Sequence, residues 1–386
     1  MSAKDFIRDI DGYEALRREI AISRKYAADQ TAEKGKWARV LELLHPDRLS
    51  LRVSEIIDET PTAKTLRLVS ATGYLPPFQA GQYISLFMEA GGVRTSRPYS
   101  ISSSPRQRAY YDITIRRVED GFVSNVLLDG TRIGDTLEAA SPAGNFHFNP
   151  LFHSPDMVCL AGGSGITPFM SMIREIAEAG LDRRLTLLYG SRSEGDIIFA
   201  RELEGIAARH GNIRYVPVIS EPGAGCRHRT GFLTADLIRE VLGDTGGRTF
   251  YLCGPAEMYA FCLPELEKLG IPRRWLRREM YGPPKDVTAD PAWPADVPAG
   301  RTFEVAIRGR KRIPARAGEP LLVALERAGI VIPAKCRSGE CSLCRVKLLG
   351  GRVFQPQGVL LRKSDREFGY IHSCMAWPIS DLEIMV

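Results

Sequence analysis

Apolar side chains recur at helical spacing near the start of this 386-residue chain. Within residues 1–48 they lie at Phe6, Ile10, Tyr13, Leu16 and Ile20, and a second short apolar group follows over 37–44. No catalytic signature accompanies them. We therefore expect residues 1–48 to form a helical N-terminal extension that serves packing or docking.

From about residue 49 short alternating segments replace the helical pattern. The stretches LRVSEII, AKTLRLVS, QYISLFM and YDITIRRV are typical of strands, and the turn-rich stretches PPFQAG and AGGVR separate them. Many short strands at such spacing predict an antiparallel β-barrel or sandwich over residues 49–152.

From Met157 onward, apolar strands alternate with helical segments. MVCLAGG and LTLLYGS indicate buried strands, and PFMSMIREIAEAG and ARELEGIAARHG indicate helices. The alternation predicts an α/β domain with a parallel sheet over 153–282. Residues 283–300 hold five prolines and predict a semi-rigid linker. Beyond it, a strand, a helix, a cysteine-rich loop and a last strand over 301–386 indicate a third, α+β domain.

Composition places the chain among ordinary globular proteins, with 44% hydrophobic and 25% charged residues. No apolar run approaches the roughly 20 residues of a membrane span. The first residues, MSAKDFIRDIDGYE, lack the apolar segment of a signal peptide, so we expect a cytoplasmic location, where thiols stay reduced. The eight cysteines therefore favour metal or redox ligands, or buried apolar positions, over disulfides.

Positive charge is concentrated at the C-terminus. Residues 301–386 carry 15 Lys and Arg against 8 Asp and Glu, a net charge of +7, and the rest of the chain carries about −1. Few aromatic residues are interleaved with these cations, which disfavours nucleic-acid binding. An acidic protein partner is an equally good explanation of the charge.

Four C-terminal cysteines have the spacing of an iron–sulfur site. CRSGECSLC places Cys336, Cys341 and Cys344 at C-x4-C-x2-C, and 29 residues separate Cys344 from Cys374. Zinc sites usually combine C-x2-C with a second close pair or with H-x3–5-H. The present spacing is instead that of plant-type [2Fe–2S] sites. It predicts a cluster held by these four thiolates, in a loop whose small residues let N–H groups turn toward the sulfurs.

Residues 301–386 resemble the plant-type ferredoxin domain. In that family, stretches like KCRSGECSLCRVKL and HSC supply the cluster ligands. The resemblance implies a β-grasp fold, which accommodates the strand, helix, loop and last strand expected here. His372, two residues before Cys374, has a structural role in this interpretation.

RPYSISS, residues 97–103, is similar to the R-x-Y-S flavin motif of the ferredoxin–NADP reductase superfamily. Without that context the tetrapeptide fits an ordinary strand. The resemblance implies that Arg97 binds the flavin phosphate, for which a permanent fork-shaped cation is suited. It also implies that Pro98 and Tyr99 lie in the binding stretch, with Tyr99 along the isoalloxazine ring. Ser100 would hydrogen-bond near the reactive flavin N5.

DGFVSNVL matches the second flavin stretch of the same superfamily. Gly121 would clear room there, and Ser124 with nearby amides would open a helix toward the pyrophosphate. Arg116 or Arg117 in the preceding strand would be a further phosphate neighbour, and Asn125 receives no role. Both stretches resemble the FAD-type branch, so the resemblance favours FAD over FMN.

A glycine-rich turn, LAGGSGITPFMSM, follows a buried strand and opens a helix. It is not the plain G-x-G-x-x-G fingerprint. Gly162, Gly163 and Gly165 nonetheless permit close backbone approach, and the helix N-terminus offers N–H groups to a dinucleotide pyrophosphate. The turn resembles the nicotinamide motif of the superfamily, which implies Thr167 as a further contact and Pro168 in the first helical turn.

YLCGPAEMY ends another buried strand. Cys253, Gly254 and Pro255 resemble the C-G-P signature of the superfamily, in which the cysteine approaches the nicotinamide C4. We expect Cys253 to shape hydride transfer without acting as a covalent nucleophile. REMYG resembles the end of the nicotinamide domain and would place Glu279 near the contact between flavin and nicotinamide.

The preferred nicotinamide nucleotide stays open. Arg192 follows a predicted strand, where an arginine can hold the 2′-phosphate of NADPH. Glu194 and Asp196 follow at once and would repel that phosphate. Both NADH and NADPH are therefore retained.

The three motifs occur in the order flavin, nicotinamide, iron–sulfur, as in reductase components of multicomponent oxygenases. Nicotinamide gives up two electrons together, a [2Fe–2S] cluster accepts one, and a flavin can exchange both ways. We expect an oxidoreductase that takes hydride from NADH or NADPH onto FAD. It would pass single electrons through the cluster to a partner such as a Rieske oxygenase or a diiron hydroxylase.

Two other classes remain as hypotheses. One is a self-sufficient flavoenzyme that reduces a small molecule and has a regulatory cluster. The other, ranked last, is a nucleic-acid-binding module with a structural metal.

Overall fold

Two helices form the described part of the N-terminal unit. The structure is a computed structural model that describes residues 12–26, 31–119 and 121–386, with residues 31–34 described by backbone only. It divides into the units Met1–Asp47 and Arg48–Val386. The helical extension is confirmed where it is described, whereas the predicted helical positions Phe6 and Ile10 lie outside the described residues. The two helices are α1 Tyr13–Tyr26 and α2 Thr31–Leu44.

The second unit begins with an antiparallel sheet of six strands. Its strand order is β4-β3-β6-β1-β2-β5, and an antiparallel bridge between Ile101 and Ile113 joins the two ends, so the sheet closes into a barrel. Alternating side chains such as Leu66 and Leu68 fill its core. The predicted barrel is confirmed. Its elements are β1 Leu49–Thr60, β2 Ala63–Ser70, β3 Tyr83–Ala90, β4 Val93–Ser100, β5 Tyr111–Arg116, α3 Ser124–Gly130 and β6 Thr136–Ala139.

A parallel sheet follows, with strand order β10-β9-β8-β7-β11-β12. Strand β7 is apolar on both sides because Cys159 packs into one core cluster and its neighbours Val158 and Leu160 into another. This confirms the predicted α/β domain. Its elements are β7 Asp156–Gly162, α4 Ile166–Ala179, β8 Arg184–Ser191, α5 Ala200–Arg209, β9 Ile213–Ile219, β10 Arg229–Thr230, α6 Ala235–Leu242, β11 Thr249–Cys253, α7 Ala256–Lys268 and β12 Leu276–Glu279.

The C-terminal domain has a mixed five-stranded sheet with strand order β14-β13-β19-β15-β17 and a smaller pair, β16 and β18. Helix α8 packs its apolar side chains into the same core as Trp377, which confirms the predicted β-grasp class. Within the proline-rich segment 283–300, Val287 and Trp293 also contact this core, and Val297 packs with Phe303 in a smaller cluster beside it. The elements are β13 Thr302–Ile307, β14 Arg312–Arg316, α8 Leu321–Arg327, β15 Arg345–Gly350, β16 Val353–Phe354, α9 Lys363–Glu367, β17 Tyr370–His372, β18 Trp377–Pro378 and β19 Leu382–Met385.

The topology positions the site. Strands β7, β11 and β12 are neighbouring parallel strands, so their carboxyl ends meet at one edge of the sheet. The end of β4 reaches the same place, because Ser100 contacts Glu279, the last residue of β12, and Tyr281, which follows it. In the described part of the chain, no helix combines the length and apolarity that crossing a membrane requires.

Candidate functional site

A buried junction joins the predicted flavin and nicotinamide motifs. The Ser100 hydroxyl lies 2.7 Å from Tyr281 Oη and 3.5 Å from Glu279 Oε2. Tyr281 Oη also lies 3.2 Å from Glu279 Oε2 and 3.4 Å from Cys253 Sγ. Tyr281 therefore bridges the serine at the end of β4 and the cysteine at the end of β11.

The junction is buried, and its surroundings raise the pKa of both Glu279 and Cys253. Burial raises the pKa of Glu279 to about 8, with a second contribution from Glu340, although hydrogen bonds from Tyr281 and Ser100 oppose it. Burial also raises the pKa of the Cys253 thiol well above its ordinary value. A thiol with a raised pKa is a poor nucleophile. The arrangement thus supports a contact role for Cys253.

The glycine-rich turn packs against the end of β11. A Cβ at Gly165 would lie 2.2 Å from Cys253 O, and one at Gly162 would lie 2.4 Å from Met258 Sδ. A Cβ at Gly254 would in turn lie 2.5 Å from that sulfur, so these three glycines join the turn and C-G-P closely.

Two further residues of the nicotinamide motifs lie beside this contact. Gly163 has φ +51°, and a Cβ there would lie 2.6 Å from an Arg116 guanidinium nitrogen. Thr167 is buried and donates its hydroxyl to Ser164 O at 2.7 Å, so it stabilises the turn. Pro168 is buried in the first turn of α4, and Pro255 precedes the first residue of α7.

Arg97, Pro98 and Tyr99 occupy β4 just before Ser100. Arg97 Nη1 donates to Thr95 Oγ1 at 2.7 Å and to Ser96 O at 2.8 Å. Burial, together with the positive charge of Arg337, lowers the pKa of Arg97 to about 10. Arg97 is half-buried, and the carboxylate nearest to both guanidinium groups, Glu326, pairs with Arg337. A guanidinium has five N–H donors, so Arg97 keeps donors beyond those of Nη1 that fit a flavin phosphate.

The second flavin stretch lies around the start of α3. A Cβ at Gly121 would lie 2.4 Å from Ser124 Oγ, so the glycine is required by the turn itself. Ser124 is the first residue of α3, a helix of only seven residues, and Asp120 lies outside the described residues. Arg117 pairs with Asp129, whereas Arg116 reaches Asp196 of the nicotinamide domain at 3.4 Å.

The four predicted cluster ligands converge in the C-terminal domain. Cys344 Sγ lies 3.2 Å from Cys374 Sγ, and Cys336 Sγ accepts hydrogen bonds from the backbone N–H groups of Glu340 and Cys341 at 3.4 and 3.3 Å. Hydrogen bonds among the thiols lower the pKa of Cys336 and raise the pKa of Cys341 and Cys374, as expected for sulfurs that lie against one another.

The backbone of this loop curls around the sulfurs. It has positive φ at Arg337 (55°), Gly339 (79°) and Ser342 (59°). His372 is fully buried, and its Nδ1–H donates to Gly339 O at 2.9 Å. The convergent thiols, inward N–H groups and apolar core fit a [2Fe–2S] cluster.

Two tyrosines missed by the motif analysis belong to the junction. Tyr281 lies two residues beyond Glu279 in REMYG, so its place in that stretch was the available signal. Tyr83 pairs with Ser100 across β3 and β4 and is visible only from strand register. It lines a small cavity with Pro98, Glu279, Met280, Tyr281, Cys336, Ser338 and Glu340. The lining of this cavity therefore combines residues of the cluster loop with residues of the flavin motif and of REMYG.

Arg192 lies outside the junction. It is exposed at the end of β8, and its Nε lies 3.5 Å from Glu221 Oε1. Gly121 and Ser124 likewise make no contact with the junction among the hydrogen bonds of the described residues. The structure thus brings together Ser100, Cys253 and the glycine-rich turn, whereas Tyr99 packs against the core of the barrel.

Three family models match successive parts of the chain. The oxidoreductase FAD-binding domain matches residues 49–148, the oxidoreductase NAD-binding domain residues 159–263, and the 2Fe-2S iron-sulfur cluster binding domain residues 305–378. Together they account for all three cofactors that the sequence predicts.

Relatives of similar length carry the same arrangement. The chain is 31% identical to the glycine betaine monooxygenase reductase subunit of Chromohalobacter salexigens, over 87% of this chain and 95% of that one. It is 30% identical to the 3-ketosteroid-9-alpha-monooxygenase ferredoxin reductase component of Mycobacterium tuberculosis, over 86% and 94%. Phthalate dioxygenase reductase shares the fold, with a TM-score of 0.65 at 23% identity, over 88% of this chain and 98% of that one.

Proposed function

The chain belongs to the ferredoxin–NADP reductase superfamily, as an FAD-dependent, nicotinamide-oxidising reductase with a C-terminal plant-type [2Fe–2S] domain, and we propose that it serves a terminal oxygenase. The observation that carries this is the convergence of Ser100, Cys253 and Cys336 on one buried junction. The oxygenase named in each of two relatives supports the choice of acceptor.

The bound flavin supplies the exchange between paired electrons from nicotinamide and single electrons for the cluster. The other contributions to the transfer come from the residues of the junction. Ser100 and Tyr281, which are hydrogen-bonded to each other, would orient the flavin edge, and Cys253 would shape the nicotinamide side. Neutral Glu279 would hold a proton at Oε2 within reach of both hydroxyls. Burial of Ser100, Cys253 and Glu279 would limit the access of water and so protect the transfer from side reactions.

An anaerobic titration tests this function. The purified protein is titrated with NADH and then NADPH while its visible spectrum is recorded, after iron and flavin have been quantified. We expect about two irons and one flavin per chain and bleaching of both chromophores. Bleaching of the flavin with an oxidised cluster would instead favour the self-sufficient flavoenzyme.

The charges at the end of β8 favour NADH over NADPH. Arg192 faces Glu221 at 3.5 Å, Arg116 faces Asp196 at 3.4 Å, and His228 faces Glu194 at 3.7 Å. Both arginines therefore already have a carboxylate partner, and Glu194 adds a further negative charge beside His228. A 2′-phosphate brought to Arg192 would meet the carboxylates as well, which is electrostatically unfavourable.

Steady-state kinetics with both nucleotides test this preference. We expect kcat/KM to favour NADH by at least about tenfold. The variant Glu221→Gln frees Arg192 and should narrow that ratio, whereas Glu178→Gln, an exposed carboxyl on α4, should leave it unchanged. A ratio below one for the unmodified protein would overturn the assignment.

The electron-accepting partner has an acidic surface in this proposal. The segment 360–366 lies against the cluster loop, because Leu360 N donates to Gly339 O at 3.1 Å. Leu360 is 61% exposed, and Arg362, Lys363 and Arg366 follow it on the surface. An apolar centre with a cationic rim suits an acidic docking site near the cluster.

Two small oxidants of opposite charge test this surface. After anaerobic reduction the protein is reoxidised by ferricyanide, an anion, or by hexaamminecobalt(III), a cation, at increasing ionic strength. We expect salt to slow the first reaction and not the second. Arg366→Glu should weaken the salt effect, and Arg132→Glu on the barrel serves as the control. Equal salt responses of both oxidants would remove the acidic-partner proposal. The cytoplasmic location stays a prediction of the sequence.

A further inference from the structure

Hydroxyl groups of the barrel hold the residues that lead into the cluster. Ser96 Oγ on β4 donates to Ala334 O at 2.8 Å, and Ser85 Oγ on the neighbouring β3 donates to Lys335 O at 3.0 Å. Both carbonyls come directly before the first cluster ligand, Cys336. The path of the backbone into the cluster is thus fixed by the flavin domain.

The residue after Cys336 is fixed from the same side. Arg337 is buried and has φ +55°, a conformation that a non-glycine residue rarely adopts unless its surroundings hold it. Its guanidinium pairs with Glu326 of helix α8, and its Nη2 donates to Thr95 Oγ1 at 2.8 Å. The side chain therefore spans from its own domain to the barrel.

Thr95 connects this ion pair to the flavin motif. Its hydroxyl donates to Glu326 Oε2 at 3.2 Å and accepts hydrogen bonds from Arg337 and from Arg97 Nη1. One hydroxyl offers one proton and two lone pairs, so Thr95 Oγ1 is fully used. Thr95 precedes Arg97 by two residues on β4. A single hydroxyl therefore links the ferredoxin helix, the cluster loop and the strand of the flavin motif.

An ion pair this deeply buried adds little to the free energy of unfolding, because the cost of taking both charges out of water offsets much of their attraction. The ion pair instead favours one arrangement of the two domains, because its hydrogen bonds can form only in that relative position. Lysine could not replace Arg337 here, because an ammonium group lacks the planar fork that reaches Glu326 and Thr95 together.

We propose that Arg337, Glu326 and Thr95 form a positioning latch that fixes the cluster loop against the flavin-binding strand and thereby sets the separation between flavin and cluster. This rests on the proposed function in assuming that electrons leave through the cluster. In the step that the latch serves, one electron passes from the flavin side to the cluster side and reduces one ferric iron, with no bond made or broken. A shift of about 1 Å between reacting groups can lower a rate strongly.

Thr95→Val tests the latch because it removes the hydroxyl while keeping the side-chain shape and leaves the Arg337–Glu326 pair in place. The holoprotein is mixed anaerobically with NADH in a stopped-flow instrument, and bleaching of flavin and cluster is followed separately. We expect flavin bleaching within about twofold of the unmodified rate and cluster reduction at least about fivefold slower. Thr95→Ser, which restores a hydroxyl, should recover the cluster rate.

A second measurement does not depend on turnover. Hydrogen–deuterium exchange should rise in peptides covering 93–97 and 330–338 of Thr95→Val and stay unchanged in the parallel sheet. The control is Arg327→Gln, which breaks the exposed pair with Glu319 next to the latch without touching the barrel. It should alter neither the cluster rate nor exchange at β4.

The outcomes separate the latch from the proposed function. Normal cluster reduction in Thr95→Val would overturn the latch, as would unchanged exchange in both peptides. Equal slowing in Thr95→Ser would also overturn it, because the hydroxyl would then not matter. If the unmodified protein failed to reduce its cluster with either nucleotide, the proposed function would fail, and the exchange data would still decide whether the contact positions the loop.

Discussion

Replacing Glu279 by glutamine should remove a pH dependence of stability. The carboxyl is 5% exposed, and burial raises its pKa from an ordinary value near 4.5 to about 8. Below the ordinary value the carboxyl is protonated in both folded and unfolded chains. Between the two values the folded protein holds a proton that the unfolded chain has released. The stabilisation is therefore present at low pH and is lost as pH rises through about 8.

The size of the effect follows from the two pKa values. At about pH 6 the folded chain binds nearly one proton more than the unfolded chain, and at about pH 8 it binds about half a proton more. Integrating this difference gives a loss of about 2 kcal/mol in the free energy of unfolding. Glutamine has the same shape but does not titrate, so Glu279→Gln should lose about 2 kcal/mol less over that interval.

Urea unfolding of both proteins at the two pH values measures this difference, with flavin fluorescence reporting release from the barrel. The comparison between proteins removes every titration that they share. Glu178→Gln, an exposed carboxyl, is the matched control and should follow the unmodified protein. Equal pH dependence of Glu279→Gln and the unmodified protein would refute a neutral Glu279. A steeper loss in the variant would mean that the carboxyl is ionised in the folded state.

Three further changes test other parts of the site. Cys374→Ala should abolish the cluster, seen as loss of iron, while NADH still bleaches the flavin; retention of two irons would contradict the ligand assignment. Gly165→Ala should destabilise the nicotinamide domain by about 1–3 kcal/mol in urea unfolding, because its Cβ would lie 2.2 Å from Cys253 O. If Gly165→Ala left the free energy of unfolding unchanged, β11 and the glycine-rich turn would have to move apart at little cost. Arg174→Gln should lower the free energy of unfolding by about 2 kcal/mol, because Arg174 donates to Ser102 O at 2.8 Å and pairs with Glu202. Arg239→Gln, which breaks an exposed pair, should cost under about 0.5 kcal/mol, and equal losses would refute a special role for Arg174.

Tyr281 links the flavin and nicotinamide motifs at the junction, and neither motif predicts this link. It is hydrogen-bonded both to Ser100, which the resemblance assigns to the flavin, and to Cys253, which it assigns to the nicotinamide. It also lines the cavity beside Cys336. A single side chain therefore touches the surroundings of all three expected redox groups, and Gly282, with φ +71°, follows it at the start of the segment that leads to the ferredoxin domain.

Local chemistry determined much of this protein at the level of sequence. Cysteine spacing predicted which four cysteines would hold the cluster, and three of them lie in one tight loop because their spacing is C-x4-C-x2-C. The change from alternating to helical periodicity separated the barrel from the parallel sheet, since burial on one face or two leaves its mark on neighbouring residues. The sequence also pointed to the glycines of LAGGSG as functional, but it did not show which groups of the protein lie close to them. In the structure a Cβ would meet Cys253 O at Gly165, Met258 Sδ at Gly162 and the Arg116 guanidinium at Gly163, so each glycine is required by a neighbour within the protein as well as by any ligand.

The tertiary structure decided which distant residues meet. Glu279, Tyr83 and Cys336 line one cavity although they come from three domains, and no local pattern relates them. The same holds for Thr95, Arg337 and Glu326, where a threonine on the barrel satisfies an ion pair more than 230 residues away. Spacing along the chain records contacts within a turn, a strand or a helix. Contacts between domains depend on how finished surfaces pack, so the electrostatics of the junction and the latch could be known only from the folded protein.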